Sequence, residues 1–259
     1  MQQPRNFPKV ASDLFMVQGI WACGYLGIML FVQIVKIILS LLSENEVATF
    51  FDTTFVASNI FMLVIGIISV SGFLPHYVSH GVTRRDYFKG TILSAIGLAL
   101  AISIVSAALT GIFHVLTKLL KLQMDMTSLE NVQMDKDGNV VGMFVKSVIL
   151  TPHVDLSSNW LLATLVFSLN IFIYYVIGWL IGAAFSRLSV SKGILLMIAG
   201  ILAIHAADIL LSLSLGLEVP NFVAHFEMPF FIPIIILFLL IVVCLWVIRL
   251  LTKRIIVKF

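Results

Sequence analysis

The sequence predicts an all-α, polytopic integral membrane protein with six transmembrane helices, and three observations predict it. Hydrophobic residues fill 60% of the 259 positions and charged residues 11%, with a mean hydropathy of +1.10, values well outside those of soluble globular domains. Several charge-poor runs reach the roughly 20 residues a helix needs to cross a ~30 Å hydrocarbon core. The ten-residue alternation of a membrane β-barrel is absent.

The N-terminal stretch "MQQPRNFPKVASDLF" lacks a basic-then-apolar segment followed by a small-residue cleavage site, so it reads as retained cytoplasmic sequence. Within residues 1–16, Ser12 stands as an N-cap before Leu14, Phe15 and Val17, with Arg5 and Lys9 upstream. That pattern is either a short helix lying in the inner interface or the first turn of the first span.

Apolar runs bounded by charges and by Pro, Gly or Asn clusters then give spans at about 17–42, 54–75, 91–116, 160–185, 194–216 and 230–251. The first carries Lys36, which either snorkels to the interface or lines a pathway. A short acidic loop (Glu44, Glu46, Asp52) separates it from the second span, which ends near Pro75. Between the third and fourth spans lies the longest polar segment, 118–159, in which "MDKDGNVVG" reads as a turn between two short extended pieces. The fourth span contains "GWLIGAAFS", with Gly178 and Gly182 four apart, a spacing that lets a neighbouring backbone approach closely, whether in this chain or in a second subunit. The fifth, "AGILAIHAADILL", places His205 and Asp208 three residues apart on one face. Two readings stay open: a polar lining of a translocation path, or a hydrogen bond locking helix to helix. Cys23 and Cys244 lie in apolar runs and read as small packed thiols.

With six spans both chain ends fall on one side. That side carries Arg5, Lys9, Arg84, Arg85, Lys89, Arg187, Lys192, Arg249, Lys253, Arg254 and Lys258, whereas the other holds only Lys118, Lys121, Lys136 and Lys146. The positive-inside rule puts the termini in the cytoplasm and the whole in a cell membrane.

Signatures of catalysis are missing. None of the 16 glycines is followed by lysine, so there is no G-x-x-x-x-G-K-[ST] loop to hold nucleotide phosphates. H-E-x-x-H, C-x-x-C and G-x-S-x-G are absent as well. Neither a metal site nor a catalytic residue is assigned, an enzyme built on His205 and Asp208 lacks a nucleophile, and nothing suggests nucleic-acid binding.

The polar link between the second and third spans, "HYVSHGVTRRDYFKG" over 76–90, exceeds what a topogenic loop needs. Gly81 breaks the helix, and Thr83 with Asp86 three residues on makes a capped restart. His76, Tyr77, His80, Tyr87 and Phe88 offer aromatic anchors, and Arg84 and Arg85 offer multidentate donors to carboxylates. The run Gly81-Val82-Thr83-Arg84-Arg85-Asp86-Tyr87-Phe88 resembles the first cytoplasmic loop of ABC-2-type exporter permeases, G-x-[TS]-R-[RK]-x-[FY]-[FLW]. The resemblance implies that 76–90 is a coupling helix seated in a groove of a separate ABC ATP-binding subunit, which would bind the ATP and Mg. It further implies a second permease copy or paralogue, an interfacial N-terminal helix, and an amphipathic or hydrophobic cargo such as a small antimicrobial or toxin-like peptide, then drugs or lipids. The short segment 217–229 departs from the family, whose large outer insertion often lies there. The alternative is a membrane immunity or sensor protein that binds peptides outside and docks a cytoplasmic partner.

Overall fold

The protein was analysed as a computed structural model, which describes residues 6–43, 47–119, 126–127, 153, 154, 156, 158–217 and 229–253. Six helices are long and apolar enough to cross a membrane. They are α1 (Phe7–Ser43), α2 (Phe50–Ile68) continued by a π-helical turn (Ser69–Phe73) and α3 (Leu74–Ser79), α4 (Arg84–Leu119), α5 (Trp160–Arg187), α6 (Val190–Leu215) and α7 (Phe231–Thr252). Two two-residue strands, β1 (Val47–Ala48) and β2 (Met126–Thr127), pair in parallel where α1 meets α2.

The helix boundaries follow from local chemistry. Thr49 accepts from the Asp52 N–H and Asn159 from the Leu162 N–H, each supplying one of the acceptors that a helix start needs. Asp52 is therefore not a loop residue: it is buried in the first turn of α2, where the positive end of the helix favours it. Gly216, at φ +69°, closes α6 with the paired Gly216 N–H to Leu213 O and Leu217 N–H to Ser212 O bonds of a Schellman motif.

Residues 7–16 do not make a separate helix from the first span. From Phe7 the helix runs without break to Ser43, with Asn6 O accepting the Val10 N–H, so Ser12 is interior rather than a cap. Pro8 in the first turn is tolerated because the N–H it lacks would have had no partner there. The second span likewise does not stop at Pro75. Proline cannot donate to the carbonyl four residues back and its ring crowds that carbonyl, and the chain absorbs this by widening to a π turn, with Leu74 N–H bonded to Ser69 O. The helix then continues to Ser79.

In the bundle, α5 is the most buried helix. It packs against α2 and α4 on one flank and α6 and α7 on the other, while α1 lies outside α4 and α2. At its tightest, α5 presses on α2. A Cβ on Gly178 would fall 2.0 Å from Leu63 O, one on Gly182 2.7 Å from Ile67 O, and one on Gly66 2.2 Å from Tyr175 O. The two glycines picked out in the fourth span thus admit the backbone of this chain's own second span. Phe7 and Lys253 lie at one end of the bundle, with the link 80–83, and we call this the hairpin end. Residues 153, 154 and 156 and the starts of α2, α5 and α7 form the far end. Cys244 is buried as expected, but Cys23 is exposed on the outer face of α1, because one face of a peripheral span must meet lipid. The turn expected in "MDKDGNVVG", and Glu44 and Glu46, lie outside the described residues.

Candidate functional site

The hairpin is built by the chemistry its sequence announces. At φ +82°, Gly81 occupies a left-handed position that a side chain would strain. Gly81 N–H to Val78 O and Val82 N–H to Tyr77 O form the same Schellman closure seen in α6. The Thr83 hydroxyl accepts from the Asp86 N–H at 3.1 Å and donates to Asp86 Oδ2 at 3.0 Å, starting α4 one residue later. Only four residues therefore separate two helices, and the N–H groups of His80, Gly81 and Val82 all bond back to the turn before them.

Several expected docking residues turn inward, which corrects the sequence reading. Tyr87 is 1% exposed and its hydroxyl donates to Ser69 O, the carbonyl at the π turn. Tyr77 is buried and donates to Asp13 Oδ2 of α1. Phe88 lies 5.2 Å from the Trp179 ring of α5, and Arg249 of α7 stands over the Phe88 ring at 5.3 Å. Arg84 donates to Lys253 O at 2.8 Å while Arg249 donates to Arg84 O at 3.0 Å. Arg187 reaches Leu250 O at 2.7 Å, so two guanidinium groups satisfy carbonyls that the end of α7 leaves open. Lys89 sits 5.7 Å above Phe7, and Gly90 gives room to Val10, which a Cβ would meet at 2.8 Å. The reason is general: in a mostly apolar chain, an aromatic residue with a polar tip does more for the free energy wedged between helices than standing in water.

What remains on the surface is a compact polar rim of His76, His80, Gly81, Thr83, Arg85 and Lys89, with Val82 and Asp86 partly covered. The His76 and His80 rings lie 4.4 Å apart, and Ser79 donates to His76 O at 2.7 Å. Arg85 is the arginine of the pair that faces outward.

Behind the hairpin runs a buried polar chain that sequence reading missed. Ser94 of α4 donates to Gln18 Oε1 at 3.4 Å, and Gln18 Nε2 of α1 donates to the Tyr175 hydroxyl of α5 at 3.2 Å. Tyr175 meets Ser69 Oγ at 2.6 Å, and Ser69 donates to Ile65 O at 3.0 Å. Since the Ser69 proton goes to Ile65 O, Tyr175 is the donor, and all bonds of the chain point one way toward the π turn. Gln18 and Ser69 inside apolar runs were the available signal.

At the far end, Asp208 of α6 finds a partner outside its own helix. Its Oδ1 lies 2.9 Å from Nε2 of His153, a residue just ahead of α5. His153 also sets its ring against Phe55 of α2 at 6.5 Å, and Val154 and Leu156 pack on the core beside it. Helical spacing puts His205 and Asp208 on one face, but the partner arrives from 55 positions away in sequence (208 minus 153). Lys36 joins neither residue: it is exposed on α1, which packs on α2 and α4, whereas α6 packs on α5 and α7. Among the described residues no group of three or more His, Cys, Asp or Glu could hold a metal ion.

Comparison with protein-family models, with curated proteins and with solved structures finds no match for this chain.

Proposed function

We propose that this chain is the membrane-embedded permease subunit of an ATP-driven exporter, with the hairpin in the cytoplasm as the seat of a separate ATP-binding subunit. The observation that carries the reading is the hairpin itself. Its outward rim is polar and basic, while its inward side chains are hydrogen-bonded to α1, to the end of α7 and to the π turn and packed on α5. A side built this way resists bending, so a push on the rim moves helices rather than a loop. The yielding point is the π turn, where the α-helical ladder is already interrupted. Movement there reaches α1, α4 and α5 through Gln18, Ser94 and Tyr175.

In this reading ATP and Mg are held by the partner, because the chain carries no phosphate-binding loop. The basic residues at the hairpin end, against Lys118 at the far end among the described residues, support a cytoplasmic hairpin in a cell membrane. A second copy or a paralogue would complete the pathway. An apolar bundle interrupted by Asp208, His153 and His205 suits an amphipathic or hydrophobic cargo such as a small antimicrobial or toxin-like peptide, exported outward.

Purification from the native host in mild detergent tests this. ATP hydrolysis should accompany the wild-type chain and fall at least about tenfold with Arg85→Glu, the reversal of one exposed charge at an interface. Undiminished hydrolysis with Arg85→Glu, or none with the wild type, would refute the assignment. Arg84 is unsuited to this experiment because reversing it also uncaps α7.

A further inference from the structure

We propose that His153 and Asp208 form a proton-operated latch that fastens the segment entering α5 onto α6 at the far end of the bundle. This does not depend on the exporter reading. Asp208 stands seven residues before the end of α6, about two turns inside it, where a carboxylate is costly unless paired. Its partner is not a permanent cation of a neighbouring span but a histidine, the side chain that changes charge near neutral pH. That histidine belongs to the segment ahead of α5, so the contact joins this segment to α6, while Val154 and Leu156 pack on the core and Phe55 of α2 faces the His153 ring.

The geometry gives the two protonation states different bonds. The His153 side chain is 5% exposed, and its Nε2 meets Asp208 at 2.9 Å. Its Nδ1 is buried with no hydrogen-bond partner among the described residues. A protonated ring gains a charge-assisted bond to Asp208. A neutral ring still donates from Nε2, yet loses the charge. Protonation therefore tightens the latch, and raising the pH loosens it as the proton leaves for bulk water. Among the described residues the titratable groups near the ring are Asp208 and His205 of α6 and Tyr174 of α5, which lies within electrostatic reach of Asp208. On α2, Asp52 stands one turn from Phe55. The first half of α7, Phe231–Val243, offers none, and Asp155 lies outside the described residues.

The test is thiol labelling of the full-length protein in nanodiscs, with Cys23→Ser and Cys244→Ala as background. Leu156→Cys reports opening, and Ser158→Cys in a separate sample corrects for the pH dependence of the maleimide reaction. Labelling at 156 relative to 158 should rise by about tenfold from mildly acid to mildly alkaline pH, on the scale of one charge-assisted bond becoming a neutral one. In His153→Gln, which keeps an amide donor for Asp208 but cannot titrate, the profile should be flat. Asp208→Asn should label quickly at every pH. His153→Asn replaces the glutamine variant if that one is not monodisperse. A flat wild-type profile, or a pH-dependent rise that survives in the His153 variant, overturns the proposal.

Discussion

Replacing Gly178 by alanine probes the contact around which the bundle is assembled. The new methyl carbon would lie 2.0 Å from Leu63 O and 2.8 Å from Leu63 C, both backbone atoms of α2. A comfortable carbon to carbonyl-oxygen separation is about 3.3 Å, so the two helices must part by roughly 1.3 Å. Neither partner can rotate away, and a gap of that size forfeits much of the dispersion energy along the seam. Overpacking of this kind costs about 3 kcal/mol, the upper part of its usual range, less up to about 1 kcal/mol returned by the better helix propensity of alanine. A net loss of about 2 kcal/mol shifts the folding equilibrium roughly thirtyfold. Unfolding in mixed micelles by rising dodecyl sulfate, followed through tryptophan fluorescence, measures it. Gly24→Ala, on an open face of α1 with nothing within 4 Å, is the matched control and should gain up to about 1 kcal/mol from helix propensity alone. Equal stability of Gly178→Ala and wild type, or equal damage from Gly24→Ala, would refute this account of the packing.

The remaining predictions concern the hairpin and the polar chain behind it. Tyr77→Phe removes the donor to Asp13 and should cost about 1.5 kcal/mol in the same unfolding assay, since the lost bond reaches a carboxylate. Arg84→Ala should cost about 1 kcal/mol by exposing the Lys253 carbonyl, whereas Arg85→Ala should stay within about 0.5 kcal/mol, as a surface change does. Tyr175→Phe takes the middle out of the buried chain, leaving Gln18 and Ser69 each short of a partner, and should cost about 2 kcal/mol. Thermal unfolding in detergent provides an independent ranking of the four.

The six spans were legible because crossing hydrocarbon imposes length and polarity on every residue of a helix. Gly81 and the Thr83–Asp86 cap were legible because turn chemistry is local. Facing was not. Tyr77 and Tyr87 have the same composition signal whether they look outward or inward, and only the packing of α1 and the π turn decides it. The π turn itself escaped notice because proline near the end of an apolar run reads as a stop, while buried neighbours can hold a helix together past it. The partner of Asp208 was out of reach for a different reason: His153 sits in a long polar segment, and a pair so distant in sequence leaves no periodicity to read. Lys36 shows the converse, a charge in a span that lies on its exposed side.

The central claim, that the hairpin is the handle of a nucleotide-driven partner, is tested most directly by a photo-reactive amino acid placed at His80 in membranes of the native host. Irradiation should capture a protein whose sequenced peptides contain G-x-x-x-x-G-K-[ST], with capture lost on Arg85→Glu. Capture of lipid alone, or labelling of a cysteine at the same position by an impermeant reagent added outside intact cells, would contradict it.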